Sequence, residues 1–65
     1  MTLTIHYLGL EGEQIEWLKQ ATEKHGAKIA LLGKQTTLTY HGNYGGINTI
    51  LALSSNLGHF EVSIT

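Results

Sequence analysis

AKIALLGKQTTLTYHG, residues 27 to 42, reads as two strands and the turn that joins them. AKIALL is aliphatic, Gly33-Lys34 is a two-residue hairpin signal, and QTTLTY alternates. The alternation puts Leu38 and Tyr40 on one side and Thr37, Thr39 and His41 on the other. Upstream, TLTIHYL (residues 2–8) also alternates, with Leu3, Ile5 and Tyr7 opposed to Thr4, His6 and Leu8. Between these strands Ile15, Leu18, Ala21 and Thr22 recur at helical spacing, and Gly26 stands where a C-terminal cap is expected. Downstream, Ile47, Ile50, Leu51, Ser54 and Leu57 form a second helical stripe closed by Gly58. HFEVSIT then ends the chain with Phe60, Val62 and Ile64 facing inward.

The order is therefore β-α-β-β-α-β over residues 1–65, one domain. The halves match locally: Thr4-Ile5-His6-Tyr7-Leu8-Gly9 against Thr37-Leu38-Thr39-Tyr40-His41-Gly42. A repeated βαβ unit predicts an α+β, ferredoxin-like split fold. Its four-stranded antiparallel sheet has order 4-1-3-2, with both helices on one face. Within that sheet the first and third strands are read as running in the same direction. That reading brings the Gly9–Gly12 and Gly42–Gly46 loops together at one end.

Composition narrows the function classes. Sixty-five residues bury only about 60% of the unfolded surface, so the core is marginal. The chain has no cysteine, and hence no disulfide or thiolate-bound metal. A net charge of −1 and the absence of arginine argue against nucleic acid as a partner. No run is long and apolar enough to span a membrane. The expectation is a soluble, cytoplasmic protein. All four lysines lie between Lys19 and Lys34, four of the five acids lie between Glu11 and Glu23, and Gln35 to Phe60 carries no Asp, Glu, Lys or Arg.

The loops are the candidate binding sites. Gly9, Glu11 and Gly12 lead into the first helix, and His41, Asn43, Tyr44, Gly45 and Gly46 into the second. Free backbone N–H groups at a helix start favour an anion or a carbonyl group. The bland alternative is that Gly42, Gly45 and Gly46 supply turn dihedrals with Asn43 as cap. G-N-Y-G-G lacks the Gly-Lys-Ser/Thr of a P-loop and the acidic partner of a dinucleotide fingerprint. The topology resembles that of small-molecule-sensing domains of the ACT type, which use the loop after the first strand, usually across a dimer interface. That resemblance implies a ligand-binding oligomer. It carries no residue over, because Leu8-Gly9-Leu10-Glu11 stands where that family often has an Asp/Asn-centred turn.

His6 and His41 are placed near the ends of adjacent strands, on the sheet face away from the helices. With no Cys or Asp beside them they are read as surface histidines, and neither a metal nor a cofactor is expected. Ser54, Ser55 and Ser63 lie away from the loops, so no nucleophile–base pair suggests an enzyme. The remaining signal is a surface depleted of charge. The outward positions of the second helix are Asn48, Thr49, Ala52, Ser55 and Asn56, and Thr39 represents a similar sheet face. Small uncharged residues where Lys and Glu are usual resemble an interface core. Trp17, beside Glu13 and Glu16, is a candidate contact aromatic. The expected function is a non-enzymatic module that binds another protein and self-associates. Length alone, with no motif, places it with the accessory and inhibitor proteins of phages and mobile elements. The alternative is an ACT-like oligomer holding a small molecule at the two glycine loops.

Overall fold

The computed structural model describes all residues, Met1–Thr65. In chain order the elements are β1 (Thr2–Leu8), α1 (Gly12–Glu23), β2 (Lys28–Leu32), β3 (Gln35–His41), α2 (Tyr44–Ser54), a single 3-10 turn (Ser55–Leu57) and β4 (Phe60–Ile64). The fold is α+β. Four strands form one open sheet in the order β2-β3-β1-β4, which is 4-1-3-2 read from the other edge.

Every neighbouring pair is antiparallel, including β1 with β3. The expectation that β1 and β3 run in the same direction is thus corrected, and the reason is directional. Helix α1 returns the chain so that β2 runs with β1, and the hairpin at Gly33-Lys34 then reverses β3 against both. Leu3 pairs with Tyr40, Ile5 with Leu38 and Tyr7 with Thr36. The carboxyl ends of β1 and β3 therefore lie at opposite ends of the sheet. Gly9 N–H donates to Lys34 O (3.2 Å) at one end, and Gly42 N–H donates to Met1 O (3.0 Å) at the other.

The local repeat extends to the register. Thr4 and Thr37 are 33 positions apart, and moving each strand residue by that offset turns one pairing into another. Leu3–Ile64 becomes Thr36–Leu31, Ile5–Val62 becomes Leu38–Ile29, and His6–Glu61 becomes Thr39–Lys28, all of them observed pairs. The two βαβ halves are thus related by a pseudo-two-fold axis through the Ile5–Leu38 pair. In the helices the offset is 32: Leu18 matches Ile50, Thr22 matches Ser54, and the caps Glu11 and Asn43 correspond. The Gly42–Asn43 entry is shorter by one residue than its counterpart. The exits restore the count, where Gly26 and Gly58 both take positive φ (93° and 92°), a conformation glycine adopts without steric cost.

The core is small. Leu3, Ile5, Tyr7, Leu18, Ala27, Leu38, Ile47 and Ile50 are buried, with Leu10, Ile29, Tyr40, Leu51, Leu57 and Phe60 packed against them. Val62 and Ile64 face the helix side as expected from their partners Ile5 and Leu3, yet stay 42% and 45% exposed. They belong to an edge strand, beyond the cover of the two helices. Tyr7 is the one large polar group in this core. Its hydroxyl donates to Ser54 O (2.9 Å), and its ring lies 5.6 Å from that of Phe60. The Ser54 hydroxyl is itself buried without a partner, whereas its counterpart Thr22 donates to Leu18 O (2.7 Å).

Burial raises the Tyr7 pKa above its ordinary value near 10, and the bond its hydroxyl donates to the Ser54 carbonyl exists only in the protonated form. The unfolded chain releases this proton at lower pH than the folded one, so stability falls as pH rises above about 10. Tyr7→Phe is expected to remove that part of the alkaline slope. It should also cost about 1 kcal/mol at neutral pH through the lost hydrogen bond. Urea unfolding of both proteins between pH 7 and 11 checks both effects.

Candidate functional site

The glycine loop after β3 is shaped by a tyrosine of the same chain. A Cβ on Gly42 or Gly46 would collide with the Tyr40 phenol. The ring of Tyr40 therefore occupies the space that these two glycines leave open. None of Gly42, Gly45 and Gly46 has positive φ, so the reading of them as suppliers of turn dihedrals is also corrected. Gly45 is different from its neighbours: a Cβ there meets nothing nearer than Asn43 Oδ1 at 3.6 Å. Asn43 is the helix cap, its Oδ1 accepting from Gly46 N–H (2.9 Å). Tyr44 follows it, 65% exposed, and His41 Nδ1 lies 2.9 Å from Thr2 Oγ1.

The loop after β1 is a separate place. Gly9 has φ +82°, and nothing lies within contact of a Cβ built on Gly9 or Gly12. At its helix start Glu11 N–H donates to Gln14 Oε1 (2.8 Å). This loop and the Gly42–Gly46 loop stand at opposite ends of the sheet, so they do not form the single site that parallel strands would have produced. His6 and His41 separate for the same reason: His6 pairs with Thr37, and His41 pairs with Thr2.

What the register does bring to His6 is Glu61, its partner on β4. Together with Leu8, Gln35, His59 and Phe60 they line a half-open cavity of about 430 Å³ beside the Gly9 loop. Gln35 Nε2–H donates to His6 Nδ1 (2.9 Å), and Thr37 Oγ1 lies 3.2 Å from the same nitrogen. No group of three His, Asp or Glu side chains is placed to hold a metal ion. Alternation along each strand does not reveal this cavity, because it depends on which strands are neighbours. The signal lay in the strand order, which sets β4 antiparallel to β1 and faces Glu61 with His6.

The charge-depleted face of α2 is as the sequence places it. Asn48, Thr49, Ala52, Ser55 and Asn56 are all exposed. Thr49 Oγ1 donates to Gly45 O (3.0 Å), Ser55 Oγ to Ala52 O (3.0 Å), and Asn56 Nδ2 to Leu53 O (3.5 Å). Three of the polar side chains thus bond to carbonyls of their own helical segment, and a covering surface need not supply those partners. The pseudo-symmetric positions on α1 are Glu16, Trp17, Gln20, Glu23 and Lys24. Lys19 Nζ lies 4.0 Å from Glu23 on that helix, and Trp17 is 41% exposed. Thr39 belongs to the opposite side of the molecule, on the open sheet face, and does not share a surface with Thr49.

Gly46→Ala is expected to destabilise the fold by about 1–3 kcal/mol, the range for forcing a group into filled space. Gly45→Ala should be neutral or raise stability by up to about 1 kcal/mol, because Gly45 is helical and open. Combining Gly46→Ala with Tyr40→Leu should recover part of the loss. Denaturant titrations of the three variants test whether the phenol is what requires the glycines.

Comparison of the chain with protein-family models, with curated proteins and with solved structures finds no match to any of them.

Proposed function

We propose that this chain is a ferredoxin-like, non-enzymatic module that binds another protein through the outer face of α2 and the Tyr44 end of its loop. It self-associates and acts as a cytoplasmic regulator or inhibitor, of the kind phages and mobile elements carry as accessory proteins. One observation carries the binding reading. The two helices occupy equivalent places on one sheet, yet the outward positions of α1 are mostly charged or carry Trp17, while those of α2 carry no charge. Packing against the sheet does not require that difference, since both helices make the same kind of buried stripe. A solvated helix gains solubility from Lys and Glu, and α2 lacks both. The small core favours association as well, because a bound partner adds to the stability of the folded state.

The alternative is a small-molecule ligand. It is supported by the cavity of about 430 Å³ at His6, Gln35 and Glu61, a volume within the range of ligand pockets. In that reading the ligand sits beside the Gly9 loop alone, since the Gly42–Gly46 loop is at the far end.

The test uses the full chain as bait in a cell lysate, beside Tyr44→Ala and Thr49→Lys. The expected result is a protein retained by the wild type and weakened by both substitutions, with far-UV circular dichroism unchanged. Tyr44→Ala should weaken binding by about 1 kcal/mol or more, as interface aromatics do. Thr49→Lys should weaken it further by placing an unpaired charge in the contact. A partner held equally by all three baits refutes the α2 face as the binding surface. A small molecule co-purifying in place of a protein favours the cavity.

A further inference from the structure

We propose that the open face of the sheet is a self-association surface, and that its occupant is a second copy of this chain docked face to face. The proposal deepens the self-association part of the reading above and rests on it. Leu3, Ile5, Tyr7 and Leu38 turn to the helices, so the opposite residues of each strand form the free face. Its two middle rows follow from the pairings. One runs Lys28–Thr39–Thr4–Ser63 and the other Ala30–Thr37–His6–Glu61. Within these rows there are two formal charges of opposite sign, Lys28 on one edge strand and Glu61 on the other. The pseudo-two-fold that relates the halves exchanges their positions.

That placement is self-complementary. The two charges lie three strand spacings and two residues apart, a diagonal of about 16 Å centred on the Ile5–Leu38 pair. A true two-fold axis lying in the plane of the face, perpendicular to that diagonal, sets each Lys28 over the second copy's Glu61. Two equivalent ion pairs then close the dimer, as an isologous contact requires. A face with two charges of the same sign at these positions would repel itself. Between the charges the face is prepared for cover. Thr37 and Gln35 both lie within hydrogen-bond distance of His6 Nδ1, and Thr2 bonds to His41. Leu8 and Leu32, each 79% exposed, flank Gln35 in the next row and supply apolar area. Two faces of this size bury on the order of 1,000 Å², at the small end of specific interfaces, so a micromolar, reversible dimer is expected.

Sedimentation velocity over a range of concentrations tests the proposal on the wild type, Lys28→Glu, Glu61→Lys, the double exchange Lys28→Glu/Glu61→Lys, and Thr49→Lys. Both charges are exposed, so none of these substitutions touches the core. Each single reversal should raise the dimer Kd about tenfold or more, because both symmetric pairs become like-charged. The double exchange should return it to within about threefold of the wild type, and Thr49→Lys should leave it unchanged. If a dimer survives both single reversals but is lost in Thr49→Lys, the sheet-face assignment is overturned while self-association stands. If all three charge variants are equally weakened, the crossed pairing is overturned. A wild type that remains monomeric at millimolar concentration overturns self-association itself.

Discussion

The pairing of Ile5 with Leu38 is the constraint on which the remaining structure depends. Both side chains are fully buried, and they sit where the antiparallel β1 and β3 cross the pseudo-two-fold axis. A slip of one residue would turn Leu3, Ile5 and Tyr7 to the open face and bring Thr4 and His6 under the helices, so the register is strongly specified. From this pair the other positions follow. The helix-entry loops go to opposite ends, His6 meets Glu61, and Lys28 and Glu61 become counterparts at the two edges.

The repeated tyrosine shows how two halves with one register can diverge. Tyr7 and Tyr40 are equivalent on their strands, but the helix entries beyond them differ in length by one residue. Tyr7 is buried and directs its hydroxyl to Ser54 O at the end of α2. Tyr40 lies instead at the start of α2, against Gly42 and Gly46. At the first entry Gly9 corresponds to Gly42, while Gln14, the residue matching Gly46, carries a full side chain that bonds the Glu11 amide. Gly42 and Gly46 thus follow from the placement of the Tyr40 ring, which differs from that of its counterpart Tyr7, whereas Gly45 meets no such ring. A phosphate or nucleotide is not needed to account for Gly42 and Gly46.

Much of the fold was legible because alternation and helical stripes are local properties. Leu3, Ile5, Tyr7 and Leu38 identify the buried face of the strands without reference to anything distant, and Gly26 and Gly58 mark the helix exits by the φ they permit. Strand direction was misread for a different reason. It is a property of the path through α1 and the hairpin, and no single segment contains it. The site suffered from the same error, since the meeting of the two loops and of His6 with His41 both required parallel strands. The packing role of Gly42 and Gly46 was hidden as well. A glycine that makes room for a ring and a glycine that makes a turn look the same in sequence, and only the position of Tyr40 tells them apart.

The pseudo-symmetry also separates what folding requires from what it leaves free. Positions that agree between the halves are those that the sheet and core demand: Ile5 with Leu38, Leu18 with Ile50, Thr22 with Ser54. Positions that disagree are under no such demand. The outward residues of α1 and α2 disagree more sharply than the strands do, with Glu16, Glu23 and Lys24 standing against Asn48, Ser55 and Asn56. On α2 the Thr49, Ser55 and Asn56 side chains fold back on carbonyls of their own segment. A surface that gives up hydration in this way lowers the desolvation cost of whatever covers it.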